Sequence, residues 1–180
     1  MEEENKWEVH TDLYKQDLIN LFRHIIHCAK DEIESKAPHY MALIGFITSI
    51  TNIIDRCGPN ISDMPEFKEV ISKDLIHLLG PLILTFNPKC LKNTCHLLLS
   101  LFKRFRSHLK KELYVVLDVI IISTIRSASS AFYQKHYLLN LVCNLLSQSD
   151  VMADIFTNYD CFPGYGNPLG KVFESLCRVR

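Results

Sequence analysis

Histidine and cysteine side chains are the groups in this sequence most suited to metal binding or catalysis. His24, His27 and Cys28 lie three and four residues apart, so on a helix they share one face. Two imidazoles and a thiolate suit zinc, but a structural zinc site needs four ligands and no fourth is evident. A second group, within Cys90–His96, is no better spaced. We therefore expect no metal site and interpret these side chains as packing or surface residues.

No pattern typical of an active site occurs elsewhere in the sequence. The glycines of Gly164-Tyr165-Gly166 lack the strand–turn–helix setting of a phosphate-binding loop. No serine occupies a nucleophile elbow, and no cysteine–histidine catalytic signature is present. We predict that the chain is not an enzyme and needs no cofactor.

Cations cluster in one short stretch, where one predicted helix ends and the next begins. The candidate contacts for an anionic lipid or an acidic partner are Lys103, Arg104, Arg106, Lys110 and Lys111. The alternative is that these cations satisfy a helix C-terminus and a solvated corner. The neighbouring Phe102 and Phe105 fit the apolar stripe of a helix better than a platform for nucleic-acid bases.

A tyrosine and an aspartate end a short predicted helix that starts at Ser149. Val151, Ile155 and Tyr159 follow at intervals of four residues, which predicts a half-buried tyrosine ring whose hydroxyl needs a partner. Asp160 lies at the negative end of the helix dipole, at a cost of up to about 1 kcal/mol. This conflict predicts a compensating backbone donor in the next loop or a distant cation, as is typical of functional sites. The alternative is an aspartate that organises the turn by bonding its own backbone.

Helix punctuation predicts that every element is helical. Capping or proline signals predict helix starts near Thr11, Pro38, Asp63, Asn87, Ser130, Ser149 and Asn167. Glycine–proline pairs predict helix ends at Cys57-Gly58-Pro59 and near Gly80-Pro81. The β-branched residues within 112–125 have high strand propensity, but no second strand is available for pairing. We therefore predict a helix there that is buried on most sides.

The predicted helices carry apolar stripes and number seven or eight. The stripe of the first helix consists of Tyr14, Leu18, Leu21, Phe22, Ile25, Ile26 and Ala29. Helix lengths and short connections favour an all-α fold of stacked antiparallel helices, an armadillo- or HEAT-like superhelical array with a period of about 40–47 residues. A compact helical bundle is the alternative.

Composition agrees with a globular domain and excludes several classes. The 180 residues contain 20 basic and 20 acidic side chains, so zero net charge gives no general attraction to nucleic acid. Seven cysteines without a framework spacing and an acidic start without a leader sequence predict reduced thiols in the cytosol. The uncharged stretch Ala37–Ile54 is long enough to span a bilayer, but its polar residues favour a buried helix.

The sequence resembles the HUS region of the large Arf guanine-nucleotide exchange factors, where HUS means homology upstream of the catalytic Sec-seven domain. The motif Asn158-Tyr159-Asp160-Cys161 looks like the core of the family's HUS box, although Phe162 stands where the family usually has a second acid. Weaker similarities occur at Lys15–Arg23, Phe105–Leu113, Asp154-Ile155-Phe156 and Phe173–Leu176. The resemblance runs from about Asp17 to Leu176 and is closest to the trans-Golgi, brefeldin A-inhibited branch.

The resemblance implies one armadillo-like regulatory domain over residues 1–180. It implies a helical array over 10–161 that ends in the HUS box, a loop over 162–167 and a terminal helix over 168–179. The implied partner is the dimerisation and cyclophilin-binding domain of the same or a second exchange-factor chain. Small Arf-family GTPases and the anionic Golgi membrane are further implied partners of a cytoplasmic, peripheral protein. The alternative function is a free-standing helical-repeat scaffold unrelated to trafficking.

Within the HUS box, the resemblance implies a docking element rather than a reaction centre. Asn158, Tyr159, Asp160 and Cys161 form this element, with Asp160 as its charged anchor and Tyr159 as its apolar anchor. The family's catalytic domain does not occur in this sequence, so we expect no nucleotide exchange by these residues alone.

Overall fold

A computed structural model describes the backbone of residues 2–178 and the side chains of residues 13–58, 61–175 and 177. Within this range all regular structure is helical. The α-helices are α1 (Glu2–Glu34), α2 (Tyr40–Arg56), α3 (Pro59–Ser62), α4 (Pro65–Val70), α5 (Ile76–Ile83), α6 (Pro88–Phe105), α7 (Lys110–Val115), α8 (Ser123–Arg126), α9 (Phe132–Leu146), α10 (Ser149–Ile155) and α11 (Pro168–Arg178).

Three π-helical segments make some of these helices continuous. Ile71–Leu75 joins α4 to α5, Val116–Ile122 joins α7 to α8, and Phe156–Asp160 extends α10. When the joined helices are counted once and the single turn of α3 is set aside, residues 2–178 form eight helices, as the sequence predicts.

The helices stack in two layers. In one layer α2 packs on α6 and α6 packs on α9, while in the other α1 packs on α5 and the segment Val116–Ile122 packs on both α5 and α11. Neighbouring helices within the first layer run parallel, as contacts between their corresponding ends show. Arg104 near the end of α6 donates to the Cys57 carbonyl just after α2 (2.8 Å). Likewise, Tyr133 near the start of α9 bonds the Thr85 carbonyl before α6 (3.3 Å). Consecutive long helices therefore form antiparallel pairs, and the predicted HEAT-like array is confirmed.

A row of phenylalanines crosses the core at the N-terminal end of the array. Phe22 of α1 stacks on Phe67 of α4 with ring centroids 4.9 Å apart, and Phe67 lies 6.1 Å from Phe105 of α6. All three rings are buried. We call Phe22, Phe67 and Phe105 the phenylalanine row. Burial of these large apolar side chains stabilises the fold through the hydrophobic effect.

The apolar stripe predicted for α1 is partly wrong. The buried face consists of Ile19, Phe22, Ile26 and Ala29, whereas Leu21 and Tyr14 are 53% and 74% exposed. Leu21 lies two residues from Ile19, which places it about 200° around the helix and away from the core. Hydrophobicity alone therefore gave too broad a stripe.

Several predicted helix starts are displaced by one or two residues. Asn87 is confirmed as an N-cap, because its side chain accepts hydrogen bonds from the backbone of Lys89 and Cys90 at 3.0 Å. Helix α1 begins at Glu2, so Thr11 lies inside it. Elsewhere the N-caps are His39, Met64, Ala131 and Gln148, each one residue away from the predicted helix starts at Pro38, Asp63, Ser130 and Ser149.

The predicted end near Gly80-Pro81 is wrong, because α5 continues to Ile83. A proline inside a helix costs about 3 kcal/mol through its missing N–H and its clash with the preceding turn. Leu82 and Ile83 are fully buried, and each such side chain contributes about 1.5–3 kcal/mol on burial. Burial of two residues therefore offsets the local cost of Pro81.

The β-branched segment is helical, as predicted, within the continuous helix formed by α7, Val116–Ile122 and α8. It is less buried than predicted, since Val119 is 57% exposed and Val115 is also exposed. Among the described residues, no helix combines the length and the apolar character that a bilayer crossing requires.

Candidate interaction site

The HUS box lies at the end of α10, where the helix widens into its π-helical segment. The backbone N–H of Cys161 donates to the carbonyl of Phe156 (3.0 Å), which closes the wide turn. Val151, Ile155 and Tyr159 all face the core, as their spacing predicts. Tyr159 is only 3% exposed, so its ring is more deeply buried than the sequence suggests.

Tyr159 is one of three mutually packed tyrosines, which we call the tyrosine cluster. Its ring centroid lies 5.5 Å from that of Tyr114 on α7 and 5.6 Å from that of Tyr165 in the loop before α11. Tyr114 and Tyr165 are 4.4 Å apart. Burial is the main cause that raises the pKa of Tyr159 above its ordinary value.

Asp160 connects the box to the last helix. Its Oδ1 accepts a hydrogen bond from the backbone N–H of Leu169 (3.2 Å) in the first turn of α11. Burial raises the pKa of Asp160, and the backbone N–H groups of Leu169 and Gly170 partly oppose that rise. The buried Oδ2 has no hydrogen-bond partner among the described residues. Of the two predicted kinds of partner, the structure contains the backbone donor, which favours the carboxylate at the positive end of the α11 dipole.

A polar network beside the tyrosine cluster fixes the loop before α11. The Tyr114 hydroxyl accepts from the backbone N–H of Gly166 (2.8 Å) and donates to Asp118 Oδ2 (3.1 Å). Asp118 Oδ1 accepts from Lys171 of α11 (2.6 Å). Sequence reasoning missed these residues, and the only local signal was the four-residue spacing of Tyr114 and Asp118.

The other two residues of the HUS box point toward solvent. Asn158 is partly exposed, and its Oδ1 accepts a hydrogen bond from Lys110 Nζ (2.8 Å). Cys161 is an exposed free cysteine. Phe162 is also exposed, and its ring lies 5.7 Å from that of Tyr165. The box therefore combines a buried ring, Tyr159, and a carboxylate bonded to α11, Asp160, with two residues that reach solvent, Asn158 and Cys161.

Arg106 ties the basic stretch to the helix that carries the box. Its Nη2 donates to Asp150 Oδ2 (2.7 Å), and its Nε donates to Asp154 Oδ2, both on α10. Its Nη1 also donates to the Lys103 carbonyl at the end of α6 (2.8 Å). These charge-assisted bonds align α10 with the end of α6.

Arg104 satisfies the end of a different helix. Its guanidinium donates to the carbonyls of Cys57 (2.8 Å) and Asp55 at the C-terminus of α2. With Lys110 bonded to Asn158, three of the five predicted cations bind within the chain. Lys103 and Lys111 are exposed, and Lys103 lines a cavity between α2 and α6. These contacts fit the interpretation that cations satisfy helix ends, while a lipid contact stays a prediction.

The histidine–cysteine group contains only a single close pair. Cys28 Sγ lies 3.6 Å from His24 Nε2 on α1. Among the residues whose side chains are described, no three or more His, Cys, Asp or Glu side chains are grouped so that they could hold a metal ion.

The all-helical array, with its tyrosine–aspartate corner at the end of α10, agrees with the family that the sequence resembles. The model of the Mon2/Sec7/BIG1-like HUS domain matches residues 14–167, and the chain therefore belongs to this family. The HUS domain is a non-catalytic region of Arf guanine-nucleotide exchange factors, separate from their catalytic Sec7 domain.

Relatives of this chain include brefeldin A-inhibited guanine nucleotide-exchange proteins. The chain is 34% identical over 87 residues to brefeldin A-inhibited guanine nucleotide-exchange protein 3 of Arabidopsis thaliana, covering 48% of this chain and 5% of the relative. It is 21% identical over 130 residues to the human brefeldin A-inhibited guanine nucleotide-exchange protein 1, covering 72% of this chain and 7% of the relative. The chain thus spans a small part of these proteins. No solved structure matches the chain.

The motifs that carried the resemblance have distinct structural roles. Phe105, Leu109 and Leu113 are buried at four-residue intervals across the corner between α6 and α7. Glu174 of α11 pairs with Arg126 of α8 (3.4 Å). Leu176, the last residue of the resemblance, has its side chain outside the described part, and α11 lies beyond the matched residues.

Proposed function

We propose that this chain is the regulatory HUS segment of a large Arf guanine-nucleotide exchange factor. It docks to the dimerisation and cyclophilin-binding domain of the same or a second chain and aids recruitment to the Golgi membrane. The match to the HUS-domain family over residues 14–167, which includes the whole HUS box, carries this proposal. Residues 1–180 act as one domain, in which the array over 10–161, the loop over 162–167 and the helix over 168–179 form a single unit.

In this proposal the two halves of the HUS box have different tasks. Asn158 and Cys161 contact the docked domain, since both are accessible. Tyr159 and Asp160 shape the corner, because the Tyr159 ring is buried in the tyrosine cluster and the Asp160 carboxylate accepts a hydrogen bond from the start of α11. The exposed Phe156 and Phe162 flank the corner and supply apolar area for contact.

The docking proposal is tested with a separately expressed dimerisation and cyclophilin-binding domain of a brefeldin A-inhibited exchange factor. We expect Phe156→Ala, which removes a contact, and Asp160→Ala, which disturbs the corner that presents the contacts, each to weaken its calorimetrically measured binding by roughly tenfold, as is typical of interface positions worth more than about 1 kcal/mol. Phe86→Ala is the matched control, because Phe86 is exposed but lies before α6, at the opposite end from Arg106.

The outcome separates docking from folding. A variant that binds the partner domain more weakly while its melting temperature stays close to that of wild type supports the docking role of the box. If Asp160→Ala lowers only the melting temperature and Phe156→Ala leaves binding unchanged, the box is structural and the docking proposal is wrong.

The proposed membrane contact depends on the exposed cations near the box. We expect charge reversal at Lys110 and Lys111 to reduce sedimentation with anionic vesicles, and the reduction should shrink as salt increases. Charge reversal at the exposed Lys89, at the far end of α6, is the control. Equal sedimentation of all variants would remove the lipid contact from the proposal.

The competing function is a free-standing helical-repeat scaffold unrelated to trafficking. A pull-down with small Arf-family GTPases in their GDP and GTP states distinguishes the two, because an unrelated scaffold has no reason to respond to the nucleotide. Capture that depends on nucleotide state supports a cytoplasmic protein acting peripherally at the Golgi membrane.

A further inference from the structure

We propose that the outer face of the α2–α6–α9 layer binds an extended polypeptide segment that contains acidic residues. The segment lies across the three helices in a furrow that we call the amide groove. This inference goes beyond the docking role of the HUS box, since no residue of the box lines the groove.

The amide groove consists of two adjoining cavities. One cavity of about 410 Å³ lies between α2 and α6, and another of about 210 Å³ lies between α6 and α9. Both are lined by His96 and Leu99 of α6, so the furrow continues from one cavity to the next across this helix. A ligand that fills both cavities must therefore cross α6 and contact all three helices.

Asparagine side chains from every helix of the layer line the groove. They are Asn52 of α2, Asn93 of α6, and Asn140 and Asn144 of α9. A carboxamide both donates and accepts hydrogen bonds, as a peptide backbone does. Packed helix axes lie about 8–10 Å apart and an extended chain rises about 3.3 Å per residue. The amides therefore repeat at about every third residue of a crossing segment.

These amides keep hydrogen-bonding capacity for a ligand. Asn93 donates from Nδ2 to the Lys89 carbonyl (2.8 Å), and the Nδ2 of Asn140 meets His136 Nε2 (3.1 Å). Each of these contacts uses the amide nitrogen and leaves the carbonyl oxygen available. Asparagine is also among the weaker helix formers, so helix stability does not explain its repeated use on this face.

The remaining lining residues favour an acidic segment with apolar side chains between the acids. The groove contains two cations, Lys92 and Lys103, and one acid, Asp55. Leu99 and Tyr137 are half-buried in its floor and provide apolar contact area. Charge complementarity thus selects aspartate or glutamate in the bound segment, whereas the amides bind its backbone.

The test begins with a phage-displayed library of random dodecapeptides panned on the full chain. We expect enrichment of peptides rich in Asp or Glu, and the best one is synthesised with a fluorescent label. Fluorescence anisotropy then compares Asn52→Ala, Asn93→Ala and Asn140→Ala with wild type. Each substitution should weaken binding by about two- to tenfold, as expected for the net loss of one hydrogen bond.

Two controls distinguish a loss of peptide-backbone binding from a loss of folding caused by the substitutions. Asn20→Ala removes an exposed asparagine from α1, in the other layer, and should leave the affinity unchanged. A peptide with N-methylated backbone amides keeps its side chains and should bind at least tenfold more weakly to the wild-type chain. That comparison needs no folded variant.

The proposal is overturned if panning enriches no peptide above an uncoated surface. It is equally overturned by unchanged affinities in both comparisons. In that case the enriched peptide binds the three asparagine variants as tightly as it binds wild type, and its N-methylated form binds wild type as tightly as the unmodified peptide does. Either result leaves the proposed role of the HUS box untouched, because that role is measured with a different partner and different residues.

Discussion

Two groups of three aromatic rings connect the helices of this domain, and they differ in polarity. The phenylalanine row joins α1, α4 and α6 through fully apolar contacts. The tyrosine cluster joins α7, the end of α10 and the loop before α11, and it carries a hydroxyl bonded to Gly166 and Asp118. Each group lies at an interface between the elements that it joins.

This difference in polarity gives the two groups different roles. The phenylalanine row mainly stabilises the fold, whereas the tyrosine cluster sets the geometry of the elements it joins. Burial of apolar rings stabilises the folded state, but such rings can pack against different neighbouring side chains of similar total volume. Hydrogen bonds contribute less net free energy, but they fix specific donors against specific acceptors. The HUS box shares Tyr159 with the tyrosine cluster, where the position of each polar atom matters.

The largest expected effect is on the phenylalanine row. Phe67→Ala should lower the free energy of unfolding by about 3–5 kcal/mol, because it removes a buried ring and leaves a cavity. Urea denaturation measures the change. Phe86→Ala, at a site 84% exposed, should change it by no more than about 0.5 kcal/mol. Equal effects of the two substitutions would show that the phenylalanine row does not supply the stability assigned to it.

An intermediate effect is expected at the tyrosine cluster. Tyr114→Phe keeps the ring but removes the partner of the Gly166 N–H and of Asp118, so it should cost about 1–2 kcal/mol. Hydrogen exchange measured by NMR should show faster exchange of the Gly166 amide. Tyr137→Phe on α9 is the matched control. Unchanged protection of Gly166 in the Tyr114 variant would show that the hydroxyl does not hold this loop.

The smallest effect concerns the charge of Asp160. Because burial raises its pKa in the folded state above the ordinary 3.8, the folded protein binds a proton at higher pH than the unfolded chain. Wild type should therefore gain stability relative to Asp160→Asn as pH falls through the raised pKa, and the gain should level off below 3.8.

Urea denaturation of both proteins across this pH range measures that gain. Asp31→Asn, which removes an exposed carboxylate from α1, controls for the change in net charge. A stability difference between wild type and Asp160→Asn that stays constant with pH would mean that burial of this carboxylate has no energetic consequence.

Much of the fold was predictable because it depends on local signals. Asn87-Pro88 marked a helix start and Cys57-Gly58 marked a helix end, and the structure contains both. The four-residue spacing of Val151, Ile155 and Tyr159 indicated the buried face of α10. The end predicted at Pro81 was wrong because burial of Leu82 and Ile83 outweighed the local cost of proline.

The candidate site was predictable only in part. The conflict of Asp160 with the dipole of its own helix indicated a missing partner, but the donor at Leu169 lies on another helix. The basic stretch indicated a charged surface, but the partners of Arg104 lie at the end of α2, which no sequence spacing connects to α6.

The sequence by itself determined the all-helical class, the approximate positions of the helices and the family, because helix periodicity, capping and a short motif are written in neighbouring residues. Only the tertiary structure decided which polar groups meet. Tyr114 reaches Gly166, Lys110 reaches Asn158, and the asparagines of three helices line one groove. The physical reason is that these contacts depend on the stacking of whole helices, which sums many weak apolar interactions along the entire chain.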